Sequence, residues 1–555
     1  MEVSMTTSTS SEERKVIFAS SLGAAIEYYD FYLYGSLAGI IAKQFFSGLD
    51  PTAGFIFALL AFAAGFIVRP IGALIFGRLG DTIGRKRTFL ITVILIGAST
   101  FVVGLLPSYE TIGIAAPIIL ITLRLLQGLA LGGEYGGAAT YVAEHAPPGK
   151  RGAYTSWIQT TASVGFLMSL AVIVGLHALI DTAAFDSWGW RIPFLFSIVL
   201  VAVSAYIRMN MHESPVFQKM KEDGNLSRSP LRESFCHWSN LKFVLLAFML
   251  SSGQTVVWYT GQFYALFFLT QILRVDVTQA SMLMAIAIIL SMPLFVVFGA
   301  LSDRIGRKWM IIIGMTVAVA TYIPIFKALT HYANPALEAA QRDASIVVRV
   351  DPTECSFQGS PIAREIDFRS SCDIAKRLLA RSGVSYRIEE GSPGTVATIT
   401  VGSTELTSLK GQLTKNGQSF DNLSKQSIAN LKTELDAALS HAGYPKAADP
   451  ASINTFMVCL ILFALMSLVA VTYAPLAAYL CELFPARIRY TSLSLPVHIA
   501  TGWFGGLLPT IAFALVAQRG DMYSGLQYPI IVAGVSIVIG TIFLRDRHQS
   551  SFDDK

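Results

Sequence analysis

The sequence predicts an all-α membrane protein with twelve spanning helices in two six-helix bundles, joined to an α+β insert outside the bilayer. Three observations carry this prediction. Of the 555 residues, 53% are hydrophobic and only 14% are charged, whereas soluble chains carry roughly 25% charged residues. Twelve apolar segments of spanning length follow one another along the chain. A polar loop that follows the second of these segments recurs after the eighth.

Each expected span holds about twenty apolar residues or more, the length that a helix needs to cross a bilayer. The spans are placed at 16–41, 54–78, 88–106, 113–141, 153–178, 190–208, 243–270, 278–300, 309–330, 454–481, 490–517 and 525–544. Between the ninth and tenth spans, residues 333–452 carry 13 Lys and Arg and 14 Asp and Glu. This polar stretch has no apolar run of spanning length, so it is expected outside the bilayer.

The chain therefore divides into seven parts. They are a cytoplasmic N-terminal segment (1–15), the first bundle (16–208), a cytoplasmic linker (209–242), helices seven to nine of the second bundle (243–330), the insert (331–453), helices ten to twelve (454–544) and a cytoplasmic tail (545–555). The first fifteen residues lack the cationic start and cleavage site of a signal peptide, so the first span is expected to be retained.

The distribution of Lys and Arg predicts the orientation, because these residues resist translocation. With the N-terminus inside, the cytoplasmic segments hold 22 Lys and Arg and the short outer loops hold 3. Both termini are then cytoplasmic in a plasma (inner) membrane protein, and the insert is extracytoplasmic. A disulfide between Cys355 and Cys372 is chemically permitted in that compartment. The net charge of +5 reflects topology, and no block of like charge indicates a nucleic-acid partner.

The insert is expected to be a small α+β module. Strands are predicted at 345–350, 384–388 and 395–401, and helices near 373–380 and 422–442. It contains no metal-ligand spacing and no nucleophile constellation. Two readings stay open for it: a lid or docking surface, and an inert decoration.

Two pairs of repeated motifs relate the halves of the chain. The loop at 77–86 recurs at 299–308, which places Asp303 222 residues after Asp81. Glu144 precedes Arg151 by seven residues, and Glu482 precedes Arg489 by seven, 338 residues later. The two offsets differ by 116 residues, about the length of the insert, so the insert interrupts one repeat. A duplicated six-span unit is typical of carriers in which two bundles rock about a central cavity.

The motifs together resemble the major facilitator superfamily and, within it, the metabolite:proton symporter family of α-ketoglutarate, citrate, shikimate and proline or betaine carriers. The Asp-x-x-Gly-Arg-Lys loops at Asp81 and Asp303 carry the broader likeness. The narrower one rests on Gly23, Glu27, Tyr28, Tyr29, Asp30, Phe31, Tyr34 and Gly35; on Gly65, Phe66, Arg69, Pro70 and Gly72; on Arg124, Gln127, Gly128, Gly132, Gly133 and Glu134; and on 482–490. The resemblance implies the twelve-helix fold and transport of a small metabolite.

Ionisable residues inside spanning helices cost roughly 2.5–3.5 kcal/mol on insertion scales, so they indicate function. They are Glu27, Asp30, Arg69, Arg124, Glu134 and His498. The resemblance places spans one and four beside the cavity and implies that Asp30 binds the coupled proton, with Glu27 and Arg124 beside it. Arg124 favours the charged form of Asp30 until substrate or conformational change draws it away. Two alternatives stay open: a static Asp30–Arg124 ion pair, and Arg124 as the anchor of a substrate carboxylate.

Polar and aromatic residues on the spans expected to line the cavity are the substrate-binding candidates, with helix packing as the alternative for each. They are Tyr34, Gln127, Glu134, Gln159, Gln254, Trp258, Tyr259, Gln262, Tyr473 and Tyr479. The repeated motifs supply the candidates for a gate at the inner surface, namely Asp81, Arg85, Glu144, Arg151, Asp303, Arg307, Glu482 and Arg489.

The sequence therefore predicts a monomeric, proton-coupled importer of a small metabolite, favouring an organic acid such as a di- or tricarboxylate. It is expected to be no enzyme and to need no cofactor or metal beyond the coupling proton. No Gly-x-x-x-x-Gly-Lys-Ser/Thr loop is present, which argues against an ATP-driven pump. Two alternatives remain: a carrier of a zwitterionic osmolyte such as proline or betaine, and a non-transporting transceptor.

Overall fold

The computed structural model describes residues 21, 24–26, 28–30, 32–34, 37–47, 51–210, 213–357, 365–414, 417 and 419–546. Its long helices before the insert are α1 (Ala38–Phe45), α2 (Pro51–Thr82), α3 (Arg85–Leu105), α4 (Ala115–His145), α5 (Arg151–Leu179), α6 (Arg191–Met209), α7 (Trp238–Tyr259), α8 (Val277–Ile305) and α9 (Arg307–Ala333). Short helices lie at Tyr109–Ile112, Thr182–Ala184, Pro215–Glu222, Pro230–Phe235 and Ala265–Phe267.

The insert and the last membrane helices complete the order. The insert holds α10 (Pro335–Asp343), β1 (Ile346–Val350), α11 (Ser371–Arg381), β2 (Arg387–Glu390), β3 (Thr398–Val401), β4 (Thr404–Thr407) and α12 (Asn422–His441). The chain then continues through α13 (Thr455–Tyr473), α14 (Leu476–Leu483), α15 (Arg489–Ile499), α16 (Leu508–Arg519) and α17 (Gln527–Phe543).

Within the described residues, nine helical segments are long and apolar enough to cross a membrane. They correspond to expected spans three to ten and twelve. Span one falls partly on residues outside the description. Span eleven is broken, because α15 passes into a π-helical turn at Ala500–Gly505 before α16 begins. Gly502, Gly505, Gly506 and Pro509 explain this break, since glycine and proline weaken a continuous helix.

The long helices pack into two groups that meet along two seams. In the first group α2 packs on α4 and α3 on α6, while in the second α8 packs on α13 and α7 on α17. The seams between the groups are formed by α5 against α8 and by α2 against α15. The first group is called the first bundle below, and the second group the second bundle.

Glycines allow α2 and α4 to cross closely. A Cβ atom built on Gly128 would lie 2.0 Å from the carbonyl oxygen of Gly65, and one on Gly132 would lie 2.2 Å from the carbonyl oxygen of Arg69. Backbone cannot move aside as a flexible side chain can. Small residues are thus required where the two helices cross.

We expect Gly128→Ala to destabilise the protein by about 1–3 kcal/mol, because the added methyl group overpacks this crossing. Gly175→Ala in α5 is the matched control, since a Cβ atom there meets nothing within 4 Å. It is expected to be neutral or to stabilise slightly, because Ala favours helix more than Gly. Thermal unfolding of the purified variants measures both. Equal midpoints for the two variants would contradict the close crossing.

The insert contains a four-stranded sheet in the order β2-β1-β3-β4. β1 pairs with β2 in parallel and with β3 antiparallel, and β3 pairs with β4 antiparallel. Val348 of β1 lies opposite both Ile388 and Ile399. Alternate β1 residues Ile346, Val348 and Val350 are buried, so one face of the sheet supplies a small apolar core.

Two strand predictions differ from the structure. The expected strand at 384–388 is displaced to Arg387–Glu390, because the backbone N–H of Tyr386 donates to Gly520 in the second bundle (2.5 Å) and not to a strand. The strand Thr404–Thr407 was not predicted. Its residues are mostly exposed and polar, so apolar alternation gave no signal. Cys355 and Cys372 are joined by a disulfide.

Hydrogen bonds attach the insert to the second bundle at two loops, the one that holds Gly520 and the one that holds Arg274. At the loop after α7, the Arg274 guanidinium donates to the carbonyl oxygens of Lys446 (3.3 Å) and Arg381 (3.2 Å). The carbonyl oxygen of Arg274 accepts from the backbone of Ala448 (3.0 Å). Arg274 has a φ of 56°, a strained value for a non-glycine residue. Contacts on both its backbone and its side chain hold this conformation.

Candidate functional site

The two ends of the bundles differ in character. The loop end is the end where Asp81 and Asp303 lie, and the insert end is the opposite one, where α7 meets the insert. Tight turns at the loop end join α2 to α3 and α8 to α9 through Gly84 (φ 114°) and Gly306 (φ 106°). Only glycine adopts these angles without strain, so each turn requires a glycine at that point.

A first gate cluster joins the bundles through Asp81, Arg85, Glu144 and Arg489, all of them buried. A carboxylate oxygen of Glu144 lies 3.4 Å from the guanidinium of Arg85 within the first bundle. The same oxygen lies 3.0 Å from the guanidinium of Arg489 in the second bundle. The carboxylate of Asp81 accepts from the backbone N–H of Thr491 at the start of α15 (2.9 Å). A carboxylate is stabilised at a helix N-terminus by unpaired N–H groups and the helix dipole.

A second gate cluster repeats this arrangement with the bundles exchanged. Glu482 of the second bundle pairs with Arg307 of its own bundle and with Arg151 across the seam (3.2 Å). Asp303 accepts from the backbone N–H groups of Gly152 (2.8 Å) and Ala153 at the start of α5 (2.9 Å). The predicted gate residues are thus brought together, and the two bundles are held closed at the loop end.

Two further carboxylates support the gate loops and were not anticipated. Glu213 accepts from the backbone N–H of Arg85 at the start of α3 (3.0 Å). Asp546 accepts from the backbone N–H of Lys308 at the start of α9 (3.3 Å). Each acid follows the last helix of its own half, so a comparison of the two halves beyond their motifs could have indicated the pair.

A central cavity lies between the bundles. Tyr28, Arg69 and Tyr135 border it from the first bundle, and Ser251, Gln254, Thr255, Trp258, Tyr259, Tyr473, Leu476, Val497, His498 and Thr501 border it from the second. Its volume is about 60 Å³, whereas one water needs roughly 10–15 Å³. The closed form therefore has room for a few waters, and the bundles must separate to admit a metabolite.

The most polar part of the cavity combines Arg69 and His498. His498 is 5% exposed, and neither of its ring nitrogens has a hydrogen-bond partner among the described residues. The Arg69 guanidinium lies 4.2 Å from the centroid of the Phe66 ring. A buried donor or acceptor without a partner costs about 1–3 kcal/mol, so the site is suited to a polar ligand.

Aromatic rings form the walls of the cavity. The Trp258 ring lies 4.9 Å from the Tyr259 ring and 6.4 Å from the Tyr473 ring, centroid to centroid. Towards the insert end, the ring of Tyr32 in the first bundle stacks on that of Phe263 in the second at 5.9 Å. This contact brings the bundles together on the side of the cavity opposite the gate clusters.

Four of the ten substrate-binding candidates border the cavity, namely Gln254, Trp258, Tyr259 and Tyr473. Glu134 reaches an adjoining pocket with Arg69 and His498, but its carboxylate is paired with Arg208 and accepts from Thr92 (2.7 Å). It is therefore committed to contacts within the first bundle.

Three further candidates lie outside the lining of the central cavity in this closed form. The Gln159 amide donates to the hydroxyl of Tyr135 (3.0 Å) and so lies behind a residue of the cavity wall. Gln262 is buried in the π-helical turn Thr260–Tyr264, beyond the cavity wall. The hydroxyl of Tyr479 donates to the carbonyl oxygen of Arg545 at the loop end (3.1 Å). Helix periodicity predicts which face of a helix a residue lies on, but not how far along the bundle it lies relative to the cavity.

Tyr34, Gln127 and Arg124 form a separate cluster inside the first bundle. The Arg124 guanidinium lies 3.4 Å from the centroid of the Tyr34 ring and donates to Gln127 (2.6 Å). Gln127 donates in turn to the hydroxyl of Thr100 (2.8 Å). None of the three borders the central cavity in this closed form. Arg124 therefore contacts groups of its own bundle in this form, and its role as the anchor of a substrate carboxylate stays a prediction.

Asp30 is 4% exposed and lies within electrostatic reach of Arg124 and Thr100. The Thr100 hydroxyl and the Arg124 guanidinium both interact with its carboxylate. Glu27, the other acidic candidate, lies outside the described residues.

Nine of the cavity residues are absent from the list of substrate-binding candidates, Arg69 and Tyr28 among them. Both belong to the motifs that indicated the family, and Arg69 is also an ionisable residue within a span. Those two signals together could have identified Arg69. Tyr135 gave no such signal, because a tyrosine in a spanning helix is compatible with ordinary packing.

A family model described as Major Facilitator Superfamily matches residues 20–334, more than half of the chain. The chain belongs to the Major Facilitator Superfamily. The match ends at Asn334, where the insert begins.

Curated relatives are transporters. The chain is 38% identical over 328 residues to the inner membrane metabolite transport protein YhjE of Escherichia coli (strain K12), an alignment that covers 58% of this chain and 74% of YhjE. It is 39% identical over 326 residues to the proline/betaine transporter of Salmonella typhimurium (strain LT2), covering 56% of this chain and 64% of that protein. The chain is accordingly a multi-pass inner-membrane transporter and not an enzyme.

Among solved structures, the proton:xylose symporter XylE bound to 6-bromo-6-deoxy-D-glucose matches with a TM-score of 0.63 and 15% identity. The match covers 97% of this chain and 97% of XylE. At this identity the likeness establishes the fold and leaves the transported substrate to be argued from the cavity.

Proposed function

We propose that this transporter is a proton-coupled symporter that imports a small metabolite bearing a carboxylate, an organic acid in the first instance. It works as a monomer with twelve spanning helices and alternates the access of the central cavity between the two sides of the membrane. The observation that carries the proposal is that Arg69 from the first bundle and His498 from the second, whose ring nitrogens have no hydrogen-bond partner among the described residues, line one cavity.

The orientation proposed has the loop end in the cytoplasm, together with both termini, and the insert outside. The bias of 22 to 3 Lys and Arg supports it, as does the disulfide in the insert, because disulfides persist in oxidising compartments. The closed gate clusters then seal the cavity from the cytoplasm. Release of substrate inward requires their interbundle pairs to break.

The chemistry of the cavity suits a carboxylate. A guanidinium binds a carboxylate through two parallel hydrogen bonds, and an imidazole supplies a further donor. Among the residues that border the cavity in the described part of the chain, none is acidic. An anionic group therefore meets attraction from Arg69 without repulsion from the walls. Because the ligand contacts both bundles, its binding also influences how they move.

The proton is proposed to reside on Asp30. This carboxylate is buried and interacts with the Arg124 guanidinium and the Thr100 hydroxyl, so its proton affinity depends on how closely Arg124 approaches. Arg124 is held by Tyr34 and Gln127 in this closed form. A rotation of the first bundle that brings Arg124 closer to Asp30 would favour the charged form and release the proton.

The alternative substrate is a zwitterion with a quaternary ammonium group, such as betaine. The rings of Tyr28, Trp258, Tyr259 and Tyr473 around the cavity favour it, since aromatic faces attract a desolvated cation by about 2 kcal/mol. The carboxylate of such a ligand would occupy Arg69 as well. The relative named a proline/betaine transporter makes this candidate a direct competitor of the organic acids.

The deciding experiment is uptake into proteoliposomes under an imposed pH gradient, with radiolabelled α-ketoglutarate, shikimate and glycine betaine as substrates. Accumulation that collapses with a protonophore supports symport, and the substrate accumulated identifies the class. Accumulation of betaine alone would replace the organic acid by the osmolyte. Binding without uptake of any substrate would favour the transceptor.

We expect Arg69→Gln to weaken binding of the transported carboxylate roughly 10- to 100-fold, because a charge-assisted hydrogen bond contributes about 1.5–3 kcal/mol. Isothermal titration calorimetry on the purified carrier measures this loss. Arg78→Gln is the control, because Arg78 is an exposed residue of the same helix α2. This variant should bind the carboxylate as the wild type does. Unchanged affinity in Arg69→Gln would show that the carboxylate binds elsewhere.

A further inference from the structure

A second cavity lies where the insert meets the second bundle, and it is called the junction cavity. It is lined by Ile272, Arg274, Asn334, Leu337, Ser382, Val384, Asp436, Leu439, Tyr444, Pro445 and Lys446. Its volume is about 200 Å³, against about 60 Å³ for the central cavity. One water needs roughly 10–15 Å³, so the junction cavity has room for a small organic molecule.

Three charged side chains border this cavity without neutralising one another. The guanidinium of Arg274 donates to two carbonyl oxygens of the insert. Asp436 is partly buried and Lys446 is exposed, and among the described residues neither side chain has an ion pair or a hydrogen bond. Opposite charges are thus held around one space, separated from each other. A ligand that carries both signs of charge would satisfy both.

The remaining walls define the shape and polarity of the ligand. Ile272, Leu337, Val384 and Leu439 supply an apolar surface, and all four are buried. Tyr444 contributes no charge, because burial raises the pKa of its hydroxyl to about 12. That hydroxyl is also occupied, since it donates to the carbonyl oxygen of Ala344 (2.7 Å).

We propose that the junction cavity binds a free α-amino acid with an aliphatic side chain, separately from the transported substrate. Its carboxylate would lie between Arg274 and Lys446, its ammonium group on Asp436, and its side chain on the apolar wall. Charge-assisted hydrogen bonds at both ends give selectivity over a simple acid or a simple amine. The proposal does not depend on which metabolite the central cavity carries.

The position of the cavity links such a ligand to transport. Ile272 and Arg274 lie at the insert end of the helix that begins as α7, and this helix carries Trp258 and Tyr259 of the central cavity. Between these points the helix passes through two π-helical turns, Thr260–Tyr264 and Phe268–Ile272. Such turns are frequent at functional sites. An amino acid at the junction would therefore contact the same helical segment that borders the substrate.

The experiment measures binding of three related probes to the purified full-length carrier in nanodiscs by isothermal titration calorimetry. Leucine carries both charges, 4-methylpentanoate carries only the carboxylate, and leucinamide carries only the ammonium group. We expect leucine to bind at least about tenfold more tightly than either of the others, because each lost charge-assisted bond weakens binding by about that factor.

Variants locate the binding. Asp436→Asn is expected to weaken the binding of leucine at least about tenfold and to leave the binding of 4-methylpentanoate unchanged. Lys446→Met should weaken the binding of both molecules, because both carry a carboxylate. Glu434→Gln is the matched control, because Glu434 is an exposed carboxylate of the same helix α12. Arg69→Gln tests the central cavity, and leucine binding should persist in it even where transport is lost.

Each outcome decides the proposal. Leucine binding that falls in Asp436→Asn and persists in Arg69→Gln supports it. Leucine binding that disappears in Arg69→Gln, or that is equal in Asp436→Asn and Glu434→Gln, overturns it. Equal affinities for leucine and 4-methylpentanoate would show that the cavity binds a simple anion and not a zwitterion. If no probe binds, the proposal that the junction cavity is a binding site is wrong. A carrier that transports nothing but binds leucine at the junction would contradict only the proposed transport.

Discussion

Asp30→Asn is expected to abolish proton-driven accumulation, so that the internal substrate concentration only equals the external one. Counterflow exchange of substrate across the same membrane should continue. The physical reason is that asparagine resembles a protonated aspartate in shape but neither takes up nor releases a proton. A carrier fixed in this form still changes conformation with substrate bound, but it cannot use the proton gradient.

The measurement compares uptake under an imposed pH gradient with exchange in its absence, using one proteoliposome preparation. Asp186→Asn serves as the control, because Asp186 is a partly exposed carboxylate paired with Lys43 at 3.2 Å. Exposed pairs contribute about 0–1 kcal/mol, so this variant should behave as the wild type does. Full accumulation by Asp30→Asn would exclude Asp30 as the proton carrier. Loss of exchange as well, in a folded variant, would indicate a structural role.

The double variant Arg151→Gln/Arg489→Gln is expected to open the loop end. Arg151 pairs with Glu482 across the seam and Arg489 pairs with Glu144. Each carboxylate keeps an arginine of its own bundle, Arg307 or Arg85, so neither is left buried and unpaired. The interbundle contacts contribute about 1.5–3 kcal/mol each. Their loss should shift the equilibrium towards the open form by at least about a hundredfold.

The protein contains its own reporter of this opening. Cys481 is fully buried beside Glu482, whereas Cys236 is exposed. Labelling with a maleimide, resolved by peptide mass spectrometry, should rise at Cys481 in the double variant and stay constant at Cys236. The ratio of the two therefore measures separation of the bundles at the loop end, and constant labelling at Cys236 corrects for the amount of reagent.

Arg487→Gln is the matched control for the gate. Arg487 lies close to Arg489 in sequence, but its partner Glu233 is 3.1 Å away in a largely exposed pair. Such a pair adds little stability, and labelling of Cys481 should be unchanged. If the double variant and this control label Cys481 equally, the interbundle ion pairs do not hold the gate. A raised labelling accompanied by a lower unfolding midpoint in detergent would instead indicate partial unfolding.

Much of the fold was predictable because the bilayer imposes a simple rule. Spanning helices need about twenty apolar residues, so runs such as 88–106 and 309–330 indicated α3 and α9. The prediction was weaker where glycine and proline interrupt an apolar run, as in α15 and α16. It was also weaker in the insert, where β2 begins later than expected because the backbone of Tyr386 bonds to Gly520 of the second bundle.

The gate and the cavity differ in how far the sequence indicated them. The gate residues were predicted from repetition, since Asp81 and Asp303, or Glu144 and Glu482, recur at equivalent places in the two halves. Cavity residues come from both halves without such a pattern. Tyr473 and Tyr479 are both tyrosines of neighbouring helical segments, and the sequence does not distinguish them. Only the structure shows that Tyr479 lies at the loop end.

By itself, the sequence determined that this protein is a duplicated membrane transporter with a polar insert, because hydropathy, charge bias and repeated loops act locally along the chain. The tertiary structure decided which residues meet. It placed Arg124 against Tyr34 inside one bundle, and it brought Arg69 and His498 into the lining of one cavity and Asp436 and Arg274 into the lining of another. These encounters join residues that lie 90 or more positions apart in the sequence. Packing between helices fixes them, and local sequence patterns carry no information about it.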